Sequence, residues 1–580
     1  MNYYNEFFGL GQQFFKFYLD EIGLPDNDPV YTLKEVMEEL SFDELLSMYK
    51  QRGRKAFNPI MMFALITYAN MKGIRAIDPI VELCIRDIGF IGLAQGQKPK
   101  RDAFYNFINK IPSYILDNLH YQFMKKLKEK GIITLETLFV DGTKIEANAN
   151  RYTFVWRGTF NYHLINLLNH IQLLFKDYNQ FIEKNQYDIK YELLKEAMFV
   201  VEGTDRVRST IIENKKRIPL NKKKIPNNTI LKIDNIGPET INRIKESLLK
   251  IREYENIEFS TVKGSKKHEL QKLYEDFTRY GLKLLEYKDK FEIMGDDRNS
   301  FSKTDKDATF MRMKDDHMMN GQLKPAYNLQ FGVENYFITN VSISNDRTDY
   351  NTLIPLITKH DLMTNVKLKE VTADSGYCSE KNLLFLKENE IVPYIKLQEH
   401  EKKKTRKYHQ DIGKHYNMQE IVIDNGDETQ LAFKCKNNQI LKFTHKSTST
   451  KNGFEQEFEH YECTSCEGCP FKKECFYNYN VDKYDGQNKK LKINGRWESL
   501  KEETDSNIHS EKGILYRQTR SIQTEGSFGD MKHNDDFSRF NHKTTEKVYK
   551  EMMFYVFGRN IMKYHRFKQG TLKAYTGKAA

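Results

Sequence analysis

The spacing of apolar positions changes character several times along the chain. Up to about residue 130 apolar residues recur every three or four positions, the period of helices with one buried face. Thr32-Leu33-Lys34-Glu35 has the form of a capping box, and the helix it opens runs through Val36 and Leu40. Asn58-Pro59 starts another helix, with proline where a missing N–H costs nothing, and Gly73 ends it. Asp78-Pro79 opens a third, 103–108 form a short one, and Pro112 opens a longer one to about Leu127. Leu138-Phe139-Val140 then reads as a buried strand that ends on Asp141, with Gly142 and Thr143 turning the chain. From 152 to 300 helical stripes return, first Leu164, Leu167, Leu168, Ile171 and Leu174, later Leu270, Leu273, Phe277, Leu284 and Leu285. Past residue 320 the period becomes two. Runs 324–333 and 336–343, separated by Glu334-Asn335, predict a hairpin. A helix over 349–362, a strand over 366–373 ending on Asp374, a helix over 379–389 and a strand over 391–397 follow. After a polar section, 398–505, the segment 516–532 reads as one helix. At 3.6 residues per turn it carries Glu525 and Lys532 on one face, with Phe528 beside them. A closing helix spans 548–564, before a basic tail.

Composition adds a partner class. The chain has 580 residues, 39% hydrophobic and 29% charged, so a substantial core underlies a heavily charged surface. The formal net charge of +11 favours a polyanion such as nucleic acid. Two basic turns between the early helices, Arg52-Gly53-Arg54-Lys55 and Lys98-Pro99-Lys100-Arg101, suit phosphate contacts in a helical DNA-binding region. The runs Lys215-Lys216-Arg217 and Lys222-Lys223-Lys224 read as solvated loops, and 233–240 as a Gly-Pro turn before a helix. No signal peptide is apparent, and the longest apolar run, 59–69, is too short to span a bilayer. The expected location is the cytosol, where the seven cysteines stay reduced. Four of them, Cys463, Cys466, Cys469 and Cys475, have a spacing that suits a structural zinc or an iron–sulfur cluster.

The order of elements after residue 131 is strand with Asp141, hairpin, helix, strand with Asp374, helix, strand. That is the order of an α/β ribonuclease-H-like core. The chain accordingly divides into a helical DNA-binding domain, 1–130, and a first part of the core, 131–151. A mainly helical insertion, 152–300, precedes the second part of the core, 301–397. An insertion with the four cysteines, 398–505, is followed by 506–580, the Glu-bearing helix that completes the core plus the C-terminal helix and tail.

Several segments together resemble a bacterial insertion-sequence transposase of the DDE class. Gly53-Arg54-Lys55 through Asn58-Pro59 to Asp87 is similar to the helical N-terminal domain of these enzymes. Phe139-Val140-Asp141-Gly142-Thr143 and Thr372-Ala373-Asp374-Ser375-Gly376-Tyr377 resemble their two catalytic strands. Thr304-Asp305-Lys306-Asp307-Ala308 and Ala326-Tyr327-Asn328-Leu329-Gln330 resemble the segments around their hairpin, and Glu525-x6-Lys532 resembles their Glu-helix signature. The cysteine run resembles one seen in a branch of the group. In that signature an arginine precedes the glutamate by four positions; here Ser521 holds that place, and Arg520 is one residue earlier.

The resemblance implies DNA cleavage at mobile-element ends and strand transfer into target DNA. It implies Asp141, Asp374 and Glu525 as ligands for two Mg (or Mn) ions. It further implies DNA contacts from Lys532, Arg520, Arg52, Arg54, Lys55, Lys100 and Arg101. The expected partners are terminal inverted repeats and target DNA, bound by a homodimer near the bacterial nucleoid, with no membrane. Asp305 and Asp307 are rival acids, read as buried salt-bridge partners. The other readings are a ribonuclease-H-like nuclease without strand transfer and a non-catalytic zinc-stabilised DNA-binding regulator.

Overall fold

The computed structural model describes residues 23–49, 55–187, 196–199, 207–210, 238–262, 264–295, 298–313, 321–424, 429–451, 453–477, 479–484 and 486–572. Arg52, Arg54, the basic runs 215–217 and 222–224, and most of the turn 233–240 lie outside the described residues. The molecule is mixed α/β, helical in its N-terminal region.

The main sheet is built around the strand Thr137–Glu146. On one side it pairs in parallel with Glu370–Ala373, which pairs in parallel with Val392–Ile395. On its other side it pairs antiparallel with Leu323–Glu334. The far edge of that long strand is shared by Phe337–Ser344 and the short strand Thr309–Arg312, both antiparallel to it. Asn335 and Tyr336 join the hairpin strands with φ of 47° and 70°. Positive φ at both central residues gives the tight turn whose twist matches a hairpin.

Two apolar layers enclose the sheet. On one face Leu138, Val140, Val371 and Ile395 pack with Leu353, Leu356 and Ile357 of the helix Leu353–Thr364. Leu383 and Leu386 of Glu380–Glu388 and Leu500 of Gly495–His509 complete that layer. On the other, Tyr327, Leu329, Phe331 and Val333 join the N-terminal helices and the C-terminal helix Thr545–Lys568 in one continuous core. The helix Pro59–Met71 is apolar all round and is buried along nearly its whole length. Its Phe63 ring meets Phe554 and Phe557, at centroid distances of 5.6 and 5.2 Å. Thr32 Oγ1 lies 2.8 Å from His565 Nδ1, and Arg75 pairs with Glu551 at 3.1 Å. The N-terminal helices therefore share a core with the end of the chain rather than standing apart.

Each insertion has its own architecture. The helical one begins and ends on a two-stranded ladder, Phe154–Trp156 with Ser300–Ser302. Leu164, Leu167, Ile171, Ile244, Leu248, Phe277 and Leu284 fill a separate core there, while Leu285 points outward. The section expected to be merely polar, 398–505, holds a five-stranded antiparallel sheet. Its strand Phe454–Cys463 alternates glutamates with half-buried residues and carries little apolar signal.

Two local expectations are corrected. The strand bearing Asp141 does not stop there but runs on to Glu146, because Leu323–Glu334 pairs with it throughout. Gly142 sits in that ladder, where a Cβ would run into the Gln330 carboxamide, so glycine there makes room rather than a turn. The Glu525 segment is not one regular helix. It runs as α-helix Glu511–Arg520, π turn Ser521–Glu525, α-helix Gly526–Gly529 and π turn Asp530–Asn534.

Candidate functional site

Sheet register sets the first two acidic groups side by side. Phe139 is the parallel partner of Thr372, so two residues further on Asp141 falls level with Asp374. Neighbouring strands lie about 4.8 Å apart, and residues two apart point to the same face. Asp141 is 9% exposed. It accepts from the Gly142 N–H at 2.9 Å and from Thr524 Oγ1 at 3.4 Å. Asp374 leaves the end of its strand and accepts from the Gly376 N–H at 2.8 Å.

A third aspartate, Asp349, which the sequence did not single out as a site residue, joins them. A Cβ on Gly376 would lie 3.0 Å from Asp374 Oδ1 and 3.3 Å from Asp349 Oδ2, so the chain threads between the two carboxylates. Asp349 Oδ1 accepts from Asn328 Nδ2 at 2.8 Å and Gln330 Nε2 at 3.0 Å, and the buried Tyr377 hydroxyl donates to Gln330 Oε1. Burial pushes the Tyr377 phenol well above its ordinary range, with Asp349, Asp141 and Asp374 adding to the effect and Arg520 opposing it. Three carboxylates and one guanidinium thus act electrostatically on a single buried hydroxyl. Asp349 was legible only as the start of a helix; no sequence spacing ties it to Asp374.

Glu525 enters from the other side of the site. Phe528 stacks on Phe331 at 4.9 Å, and the Tyr516 ring packs against Phe139 and Tyr394 while its hydroxyl donates to Glu370 at 2.7 Å. These contacts fasten the helical rod to the sheet. Arg520 Nη1 is 3.3 Å from Asp141 Oδ2, and its Nη2 is 4.0 Å from Glu525 Oε1. Five residues along an α-helix would set Arg520 and Glu525 about 140° apart, and a π turn closes that angle. The one-residue offset of Arg520 in the sequence is thus absorbed by the π turn. The Glu525 side chain is 63% exposed. A Cβ on Gly526 or Gly529 would meet no protein atom within 4 Å, so their face of the rod is open rather than pressed on another backbone.

The remaining predicted residues lie elsewhere or are otherwise engaged. Lys532 sits in the second π turn. Lys55 is exposed, Lys100 precedes the helix Arg101–Lys110, and Arg101 pairs with Asp78 at 3.3 Å on the surface. Asp305 and Asp307 bind backbone more than cations. Asp305 accepts from Tyr327 and from the Thr544 N–H, and Asp307 from the Thr545 N–H, so they hold the start of the C-terminal helix. Cys463, Cys466, Cys469 and Cys475 line one cavity of about 20 Å³, which Cys435 shares. The Cys466 sulfur accepts from the Lys489 N–H at 3.3 Å. Burial pushes Cys463 up to about 12 and Cys475 to about 11. Among the described residues, the one set of three His, Cys, Asp or Glu ligand atoms all within 4.8 Å of one another is His400, Asp505 and His509. It lies where the cysteine insertion leaves and rejoins the core, outside the Asp141 site. No described helix is long and apolar enough to cross a membrane.

Residues 434–565 match a family model described as a transposase DDE domain, and residues 19–110 one described as a transposase domain (DUF772). The first match takes in the cysteine cavity and the Glu525 rod, the second the N-terminal helices. Both are transposase families, and the two matched stretches support an insertion-sequence transposase of the DDE class. No curated protein and no solved structure matches the chain.

Proposed function

We propose that this transposase cleaves DNA at the ends of its mobile element and joins those ends to target DNA, with Asp141, Asp374 and Glu525 as its catalytic carboxylates. The observation that carries this reading is the level placement of Asp141 and Asp374 on adjacent parallel strands, with Arg520 reaching from Asp141 to Glu525. Strand order and directions support a ribonuclease-H-like core.

The donor set fits magnesium or manganese: a few carboxylates on rigid elements, with room for water and phosphate oxygen. Asp141, Asp374 and Glu525 would hold two ions, and Asp349 is a fourth carboxylate within the same network. Such ions, when bound, activate an attacking oxygen and stabilise a leaving one at phosphorus. The protein's own groups do the positioning. Arg520 supplies positive charge beside Asp141 and presents a fork suited to a phosphate. The Gly526–Gly529 face leaves space for a DNA strand, and Lys532 holds a phosphate near it. Lys55, Lys100 and Arg101, with Arg52 and Arg54, supply the sequence-independent share of binding. Because two ends must meet, the active form is a homodimer on DNA, in the cytoplasm at the bacterial nucleoid.

A structural zinc is proposed for the cysteine cavity, held by Cys463, Cys466, Cys469 and Cys475. The all-thiol donor set fits zinc. No three of these sulfurs lie within 4.8 Å of one another, so binding would draw the ligands together. Zinc analysis of protein purified without chelators tests this; four freely titratable thiols with no metal would refute it.

The deciding experiment incubates the protein with a supercoiled plasmid carrying candidate element ends. Magnesium-dependent cleavage at those ends followed by joining is expected. Cleavage without joining would leave a nuclease, and binding without cleavage a regulator.

A further inference from the structure

The cysteine insertion carries a large groove that the transposase reading does not use. It encloses about 770 Å³ between residues 399–416 and 489–501. Seven lysines line it, against three acidic residues, Glu399, Asp411 and Glu498.

Those acids are already engaged. Lys501 pairs with Glu399 at 2.9 Å and with Glu498 at 2.7 Å, and His415 also faces Glu498, at 3.9 Å. Asp411 accepts from the Gly413 N–H at 3.1 Å. Lys490 reaches out to Glu462 at 3.3 Å, and Lys492 lies over the Phe458 ring at 3.8 Å. Lys489 donates to the Cys475 carbonyl at 2.8 Å. Lys402, Lys407 and Lys414 are exposed and, among the described residues, make no ion pair. Three ammonium groups, against the carboxylate of Asp411, therefore share one concave wall, where low-dielectric sides concentrate the net positive field.

We infer that this groove binds the phosphate backbone of duplex DNA, as a second contact remote from the carboxylate site. The inference rests on the transposase reading for its partner class. Tyr408 and Tyr416 favour a backbone over unpaired bases. Their rings are stacked on each other, centroids 4.4 Å apart and 6° from parallel, so one face of each ring is already spent on the other. The groove is also within reach of the same duplex. Lys501 lies on the helix Gly495–His509, which leads through Ser510 into the rod that carries Glu525. At about 1.5 Å per helical residue the two are at most roughly 40 Å apart, close to one duplex turn of about 34 Å. The thiol cavity abuts the groove, since Gly413 lies against the Cys475 carbonyl and Lys489 bonds it. Metal at the cysteines would therefore stiffen one wall.

The test is fluorescence anisotropy of the full-length protein with a duplex of about 30 base pairs of unrelated sequence, across a salt series. Three variants are compared with wild type. K402E/K407E/K414E removes the groove charge. K402R/K407R/K414R keeps it. K272E/K283E/K288E makes the same charge change on the helical insertion. The groove variant should bind at least about tenfold more weakly, with a salt slope smaller by roughly 2 to 3, given about 0.9 per phosphate contact. The arginine variant and the helical-insertion variant should bind as wild type does. Equal loss in both glutamate variants, or none in the groove variant while wild type binds, would overturn the groove and leave the transposase reading standing. A wild-type chain that binds no duplex overturns both. Tighter wild-type binding to RNA or single-stranded DNA, lost in the groove variant, overturns the duplex assignment alone.

Discussion

The proposed site is assembled from two kinds of support. Asp141 and Asp374 ride on adjacent parallel strands of a doubly covered sheet, and each accepts a backbone N–H from its own segment. Glu525 rides on a rod interrupted by two π turns, is mostly exposed, and is linked to Asp141 through Arg520. The strand half is fixed before any ligand arrives, because moving it would break ladder hydrogen bonds. The helical half is fastened by side-chain packing rather than by a ladder, and we propose that its π turns let Glu525 shift, since a π turn differs from an α turn by a single residue in register. The difference teaches that the acids are held unequally, two by a sheet and one on an exposed face of a helical rod.

The largest expected effect removes strand-borne charge. Asp141→Asn and Asp374→Asn should each lower magnesium-dependent plasmid cleavage by at least about a thousandfold, the rate equivalent of several kcal/mol. End-binding in gel shifts should persist, because phosphate contacts supply most of the affinity. Glu525→Gln should also abolish cleavage; wild-type activity in that variant would disqualify Glu525 and direct attention to Asp349, then Asp305 and Asp307.

Length changes sharpen the contrast. Asp374→Glu pushes a carboxylate out of a fixed position and should cost about a hundredfold in rate. Glu525→Asp retracts one from an adjustable position and should stay within about tenfold of wild type. Equal losses would show that both halves are equally rigid.

A smaller effect is expected from deleting Ile522, which is 50% exposed within the first π turn. The deletion places Arg520 four positions before the glutamate in an ordinary α turn, and cleavage should remain within about tenfold of wild type. Loss as complete as that of Glu525→Gln would mean that the π turn itself is required.

The smallest effect concerns the ground under the strand half. His120 is buried against the hairpin, with Nε2 3.0 Å from the Ile338 carbonyl. Burial, helped by Lys359, lowers it to about 4 from 6.5. A folded value below the unfolded one means that its contribution is complete above pH 6.5 and is lost as pH falls through about 4. Denaturant midpoints should fall over that window, by no more than about 3 kcal/mol in stability, and His120→Gln should flatten the fall. An unchanged slope in the variant would exclude His120 as its source.

Local spacing carried much of this in the sequence. A short apolar run marked the strand at 138–140, and the shift from helical period to alternation marked those at 324–333 and 336–343. The motifs around Asp141, Asp374, Glu525 and the clustered cysteines are short and contiguous, so the amino-acid order alone singles them out. Tertiary structure decided what depends on residues far apart in the chain. Register made Asp141 level with Asp374, and a fold-back brought Asp349 beside them. A widened turn reconciled Arg520 with Glu525, and strand pairing carried the Asp141 strand on to Glu146. Cys435 joined the thiol cavity, and lysines from 402–414 met those from 489–501, by the same route. Such arrangements follow from hydrogen-bond ladders, turn geometry and packing between segments that are not neighbours in the chain, for which one sequence has no periodicity to show.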